Sequence, residues 1–288
     1  ADYDELLRLA EDADVLIVRL RHRIDETLFR AAPGLKAIVT ATTGLDHVDL
    51  EQAASHGVEV LSLRGETDFL AGITATAELT WGLVLSLVRR IPEAHRDVLS
   101  GRWDRDAFRG RDLKGKILGI VGYGRLGKIV AEYGRAFRMK VVVSDPYLTS
   151  VPEWVEVLPF DSLLSFSDIV TVHVDLNPDT VDLFGGREFG RMKSGSFFVN
   201  TSRGALVDED ALLAVLNTGH LGGAALDVLR DENRLQGGAG DHPLCRYARD
   251  HGNLILTPHI GGVSKESIEN TEVFMARKLK DFLEKGNP

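Results

Sequence analysis

The chain has 288 residues, 44% of them hydrophobic, with 29 glycines and a formal net charge of −9, which is length enough for two domains with substantial cores. The acidic balance argues against a nucleic-acid binder, which needs a basic surface to neutralise phosphates, and against adhesion to an anionic membrane. The single cysteine, Cys245, allows no intrachain disulfide and fits a reducing, cytoplasmic setting; no signal peptide is expected, and no apolar run reaches the ~18 residues of a membrane span.

Residues 1–70 read as short alternating units. Helices are expected near Tyr3–Ala10, Asp25–Ala31 and Leu50–Ser55, and strands at Val15–Arg19, Ala37–Thr40 and Val58–Ser62. Strands separated by helical patterns imply parallel pairing through βαβ units. Arg64–Gly72 breaks the rhythm. A long apolar helix over Thr74–Arg90 (Leu79, Leu83, Val84, Leu87, Val88) follows, with Pro92 near its end. A second series has strands at Lys116–Val121, Lys140–Ser144, Ile169–Val172, Ser196–Val199, Ala224–Val228 and Asn253–Leu256. Helices are expected near Leu126–Phe137, Phe160–Ser165, Arg187–Arg191 and Asp208–Asn217. Six strands with crossovers is the count for a doubly wound nucleotide-binding sheet. A final amphipathic helix, Ser264–Glu284, follows Gly261-Gly262 and is expected to fold back onto the first domain. The fold class is therefore α/β with two domains: a Rossmann domain over 73–262, and a smaller α/β domain over 1–72 completed by 263–288.

Gly122-Tyr123-Gly124-Arg125-Leu126-Gly127 follows an apolar strand and opens a helix. The glycines permit a tight turn and close backbone approach to a pyrophosphate, which the helix N-terminus stabilises. Alone the pattern is weak; its context makes it informative. Asp145 ends the next strand, 18 residues past Gly127, where a carboxylate can accept from both adenosine ribose hydroxyls and repel a 2′-phosphate. That favours NAD (NADH) over NADP.

Three strand ends each present a polar side chain that a core cannot use: Arg203, Glu232 and His259. Ligands of open α/β sheets bind outside the carboxyl ends of strands. Histidine suits proton transfer because an imidazole ionises near working pH. A neighbouring carboxylate, Glu232, would orient the ring, and Arg203 can grip a carboxylate bidentately. Each residue alone is more often structural; a histidine after a proline is commonly a hydrogen-bonder, and a strand-end arginine commonly caps a helix. No metal site is expected.

The runs that hold these residues, Asn200-Thr201-Ser202-Arg203-Gly204, Leu226-Asp227-Val228-Leu229-Arg230-Asp231-Glu232 and Thr257-Pro258-His259-Ile260-Gly261-Gly262, with Thr43-Gly44-Leu45-Asp46-His47-Val48-Asp49, Ala77-Glu78, the glycine fingerprint and His173, resemble the D-isomer-specific 2-hydroxyacid dehydrogenases over nearly the whole chain. The resemblance implies Arg203 as substrate-orienting residue, His259 as acid/base and Glu232 as its partner. It implies a flavodoxin-like substrate domain, with backbone amides around Thr43, Gly44 and Leu45 receiving the substrate carboxylate. Asp227 would contact the nicotinamide carboxamide, Arg125 and Leu126 would sit on the pyrophosphate, and Thr43, Val174, Thr201, Gly261 and Gly262 would line the cofactor cleft, with His173 and Ser202 also on the cofactor side. A homodimer and a small 2-oxo or 2-hydroxy acid substrate follow from the same resemblance.

The chain also departs from that pattern. The family's usual opening strand is missing before Tyr3, so the N-terminus is expected to be shortened. Asn233 stands where a proline commonly follows the catalytic glutamate, a glycine-rich extension precedes His242-Pro243-Leu244, and the loop Gly65–Phe69 is unusual. Arg19 matches a phosphate-holding position of phosphoglycerate dehydrogenases, but Thr40 replaces the second expected arginine, so phosphoglycerate and a smaller 2-oxo acid stay equally open. Corepressor-like relatives that respond to NADH offer a non-enzymatic alternative. Phosphite oxidation is also open, while formate is disfavoured because formate enzymes carry glutamine at the position of Glu232. Asp145→Ala is expected to relax the preference for NAD over NADP, read as the ratio of cofactor dissociation constants; an unchanged ratio would refute the role of Asp145.

Overall fold

The structure is a computed structural model that describes residues 2–286; the ends of the expected first domain at residues 1, 287 and 288 lie outside the described residues. The chain divides into two units, one running to Ile73 and resuming at Val263, the other spanning Thr74–Gly262.

The first unit begins with α1 (Tyr3–Ala10), β1 (Val15–Val18), α2 (Glu26–Ala31), β2 (Ala37–Thr40), α3 (Leu50–Ser55), β3 (Glu59–Leu61) and α4 (Thr67–Ala71). Aspartates start the first three helices: Asp2, Asp25 and Asp49 accept from the backbone N–H groups of Glu5, Thr27 and Gln52. Each satisfies a helix-end donor that would otherwise have no partner. The strands form a parallel sheet in the order β1-β2-β3. Ile24, Leu28, Phe29, Ile38 and Val48 fill the core on one side.

The second unit contains α5 (Ala75–Val88), α6 (Ile91–Leu99), β4 (Ile117–Val121), α7 (Arg125–Ala136), β5 (Lys140–Ser144), β6 (Val155–Val157) and α8 (Phe160–Phe166). It continues through β7 (Ile169–Val172), α9 (Gly186–Arg191), β8 (Phe197–Asn200), α10 (Glu209–Asn217), β9 (Gly223–Leu226), α11 (Pro243–Asp250) and β10 (Leu254–Leu256). All seven strands are parallel, in the order β10-β9-β8-β7-β4-β5-β6. The chain winds outward from β4 to β6, then returns to β7 and winds the other way. The switch point of this Rossmann sheet therefore lies between β4 and β7. Strands β7, β8 and β9 are buried along their whole length, as expected where helices cover both faces of a parallel sheet.

One face packs against α5 and α7 through Trp81, Val84, Leu87, Leu118 and Val130. The other holds Leu163, Leu212, Leu244 and the mutually packed rings of Phe184, Phe189 and Phe198. By length and composition Thr67–Val88 is apolar enough to cross a membrane. Eight of the 14 residues of α5 are nevertheless buried in this core, which accounts for its apolarity on nearly all sides. After the second unit the chain returns to the first as α12 (Lys265–Glu284). There Phe274 stacks on Phe69 at 4.0 Å, Met275 is buried, and Lys278 Nζ donates to Ser62 O at 2.9 Å.

Several elements differ from the sequence expectation, among them the helices α4 and α11, which it did not include. The six expected strands are seven, because β6 extends the sheet beyond β5; three residues are too few for a periodicity signal. The long helix ends close to Pro92 as expected, but Pro92 itself sits in the first turn of a further helix, α6, after Arg90 in the left-handed region (φ 55°). That position suits proline, whose missing N–H would have no helical partner there. The strand expected to end at Val228 stops at Leu226, leaving Asp227 and Val228 beyond the ladder.

The glycine fingerprint fixes how α7 sits on β4. A Cβ at Gly127 would lie 2.2 Å from Gly122 O, a backbone atom with little freedom to withdraw. Gly127→Ala is therefore expected to cost about 1–3 kcal/mol, read as a fall in the thermal midpoint; an unchanged midpoint would show that α7 can shift without cost.

Candidate active site

The site residues of the second unit lie at the carboxyl edge of its sheet. At the switch point, β4 ends in Gly122, whose φ of 92° is reached readily only by glycine. A Cβ there would meet His173 O at 2.5 Å and Val174 Cγ1 at 2.8 Å, so the turn lies against the chain leaving β7. The start of α7 has no side-chain cap and no acidic residue in its first turn, leaving N–H groups suited to an anion. A Cβ built on Gly124 meets nothing within 4 Å. Arg125 and Leu126 follow, both half-buried, and burial lowers the ionisation range of the Arg125 guanidinium.

Asp145 ties the second strand end to this turn: one oxygen accepts from Tyr123 N at 2.8 Å and the other from Tyr147 N at 2.9 Å. His173 is half-buried overall, yet both its ring nitrogens are shielded from solvent with no hydrogen-bond partner. Burial holds its ionisation down at about 4. An uncapped helix start, open space over Gly124 and two buried nitrogens without partners fit a dinucleotide with its pyrophosphate on α7.

Three neighbouring strands supply the other groups. β8 ends in Asn200, whose Oδ1 accepts from Ser202 N at 2.9 Å and whose Nδ2 donates to Arg203 O at 2.8 Å. Ser202 Oγ donates to Val172 O at 2.8 Å, while the Thr201 and Thr80 hydroxyls bond at 2.9 Å, both buried. The Arg203 turn is thus held from three sides, and Arg203 Nη1 donates to Ser202 O at 2.8 Å. Gly204 permits a close approach: a Cβ there would lie 2.0 Å from the carbonyl carbon of Leu229.

Past β9, Asp227 is 1% exposed. Its Oδ1 accepts from Thr257 Oγ1 at 2.5 Å and Ile260 N at 2.9 Å, and its Oδ2 from Gly261 N at 2.7 Å. Burial pushes its carboxyl above the usual range, and those hydrogen bonds pull the other way. Asp227 O also accepts from His259 N at 2.7 Å. The turn after β10 is therefore pinned at four points, with His259 in the left-handed region (φ 54°). From there His259 Nδ1 lies in hydrogen-bond contact with Glu232 Oε1. The two side chains remain 24% and 36% exposed, so the pair is reachable by a small molecule. Gly261 is buried and Gly262 exposed.

The first unit holds the remaining predicted residues. After β2, the Thr42 hydroxyl donates to Gly44 O at 2.8 Å and Val48 N to Leu45 O at 2.9 Å, shaping a turn with Thr43 exposed and Leu45 buried. Arg19 is paired with Glu272 of α12 rather than standing alone. Thr80 escaped the sequence reading, and Asn200, Gly204 and Thr257, which stand in the strand-end runs, had no role assigned there. Only Asn200 carried a local signal, an Asn two residues before a serine at a strand end, the pattern of an Asx-turn.

Comparison with known proteins gives this arrangement its context. The profile of the D-isomer specific 2-hydroxyacid dehydrogenase NAD binding domain matches residues 81–261. D-3-phosphoglycerate dehydrogenase of Bacillus subtilis is 38% identical over 279 residues, covering 96% of this chain and 50% of that protein. Glyoxylate reductase of Thermofilum pendens is 36% identical over 286 residues, covering 96% of this chain and 80% of its own length. The chain thus spans about half the length of the phosphoglycerate dehydrogenases it matches. Among solved structures, D-lactate dehydrogenase from Aquifex aeolicus, complexed with NAD and lactic acid, superposes with a TM-score of 0.84 at 29% identity, over 96% of this chain and 85% of that one.

A histidine held neutral down to about 4 in the fold, against 6.5 in an open chain, contributes stability that is fully present above pH 6.5 and lost as the pH falls toward 4. For His173 in the cofactor-free protein this amounts to at most about 3 kcal/mol. Urea midpoints at pH 7 and pH 4.5 should separate by less in His173→Phe than in the parent; an equal separation would remove His173 as a cause.

Proposed function

This chain belongs to the D-isomer-specific 2-hydroxyacid dehydrogenase family, and on that premise we propose that it is an NAD-dependent oxidoreductase interconverting a D-2-hydroxy acid and its 2-oxo acid. The observation that carries the reading is the contact of Glu232 with His259 Nδ1, on a turn fixed by the buried Asp227 carboxylate. With Nδ1 engaged, Nε2 is the ring nitrogen left to exchange a proton with substrate.

In the reducing direction His259 protonates the carbonyl oxygen through Nε2, and in the oxidising direction it accepts the hydroxyl proton there. Glu232 orients the ring through its contact with Nδ1. Arg203 holds the substrate carboxylate, and its planar fork fixes the plane of the adjacent carbonyl. Asp227 holds the backbone of His259 and, by the family resemblance, would contact the nicotinamide carboxamide. Gly122, Gly124 and the α7 amides, with Arg125, would hold the pyrophosphate, and Asp145 the adenosine ribose. Bound NADH supplies the hydride.

Two features bear on the substrate. The relatives act, by name, on phosphoglycerate or glyoxylate. Here Arg19, the one arginine at an expected phosphate-holding position, already pairs with Glu272, and Thr40 stands at the other. These features favour a small 2-oxo acid without phosphate.

The test is NADH oxidation with glyoxylate, hydroxypyruvate, phosphohydroxypyruvate and pyruvate. Turnover is expected on at least one unphosphorylated acid, and His259→Ala and Arg203→Ala should each lower kcat/KM by about 10²–10⁴-fold while NADH still binds. Full activity in His259→Ala would sink the acid–base assignment. Tight NADH binding with no turnover on any acid would turn the reading toward a cofactor-responsive binding protein.

A further inference from the structure

Among the described residues, the segment that carries Glu232 is held internally by local turns, with Arg234 N donating to Asp231 O at 2.8 Å, Gly238 N to Leu235 O at 2.8 Å and His242 N to Ala239 O at 3.1 Å, and Leu229 N reaches Glu232 Oε2 only at 3.5 Å. Such a segment does not hold a carboxylate in one place by itself. Its two ends, however, meet at one side chain. Glu209, in the first turn of α10, accepts from Arg230 N through Oε1 at 2.8 Å, and its Oε2 lies 3.2 Å from His242 Nε2. Both partners of this second contact are largely buried, at 12% and 16% exposure.

The Arg230 side chain reinforces the first end. Its Nη2 pairs with Asp182 and donates to Ala205 O and Val207 O, at 3.2 and 3.1 Å. Those carbonyls lie just past Arg203, where Gly204 packs directly on Leu229. The second end is carried into the core by Leu244, which is fully buried in the first turn of α11.

We propose that Glu209 is a positioning residue for the acid–base pair: it clamps Arg230 to His242, closing the segment that carries Glu232 so that its carboxylate stays on His259 Nδ1. This rests on the oxidoreductase reading above. The clamp touches neither the glycine turn nor Arg203 itself, so its loss should slow proton transfer and leave cofactor binding in place.

Trypsin reads the clamp without reference to turnover, because Arg234 lies mid-segment and is 79% exposed, and cleavage there tracks local opening. In Glu209→Ala, cleavage after Arg234 should quicken about tenfold, kcat should fall about tenfold or more, and the NADH dissociation constant should stay within about threefold. Glu209→Gln keeps an acceptor for Arg230 N and should recover much of both effects. His242→Leu releases one end only and serves if Glu209→Ala does not fold; intermediate effects are expected. Unchanged cleavage in Glu209→Ala and His242→Leu would overturn the clamp. Faster cleavage with undiminished kcat would overturn its action on the acid–base pair, provided Glu232→Gln slows the enzyme. If Glu232→Gln and His259→Ala also left turnover untouched, the oxidoreductase mechanism itself would fall, while the trypsin comparison would still decide whether Glu209 closes the segment.

Discussion

Burying a carboxylate costs several kcal/mol unless donors replace the lost water, and at Asp227 three donors do so. All three come from the turn after β10, and the next backbone N–H, that of His259, bonds to the carbonyl of Asp227. The carboxylate and the turn therefore fix each other. Without the turn the charge would be stranded; without the charge, the N–H groups of Ile260 and Gly261 would lose their acceptor. This mutual satisfaction decides where the imidazole of His259 stands.

The Arg203 turn is built on the same plan with neutral groups. Asn200 bonds forward to Ser202 and Arg203, Ser202 bonds back to β7, and Thr201 bonds to α5. Polar strand-end residues thus act as struts, and the functional side chains project from turns whose own polar atoms are already committed. Parallel strands make this economical, because β8, β9 and β10 all end on one edge.

The sheet, the glycine turn and the residues Arg203, Glu232 and His259 were legible in the sequence because each leaves a local trace: a buried apolar run, then a polar residue that packing cannot explain. β6 left no such trace, being three residues on an edge, and α6 was hidden because Arg90 breaks the helical pattern by turning left-handed. Contacts between distant positions were also invisible. Nothing in the neighbourhood of Glu209 announces Arg230 or His242, and Gly204 looks like any loop glycine until Leu229 is seen against it. Arg19 shows the converse: its place at a strand end was readable, but its partner on α12 lies 253 positions away.

Two backbone positions in this edge adopt the left-handed conformation without being glycine: Asp231, just before Glu232, and His259 itself, both with φ of 54°. Residues with a branched Cβ are strongly disfavoured there, whereas Asn, Asp and His tolerate it best. The substitutions that inheritance can sample at 259 are thereby narrowed. A lineage that lost His259 would drift most easily to asparagine or aspartate, single-nucleotide neighbours of histidine, and would keep the shape of the turn. Under the proposed mechanism, such a change would remove the proton transfer while leaving the glycine turn and α7 untouched.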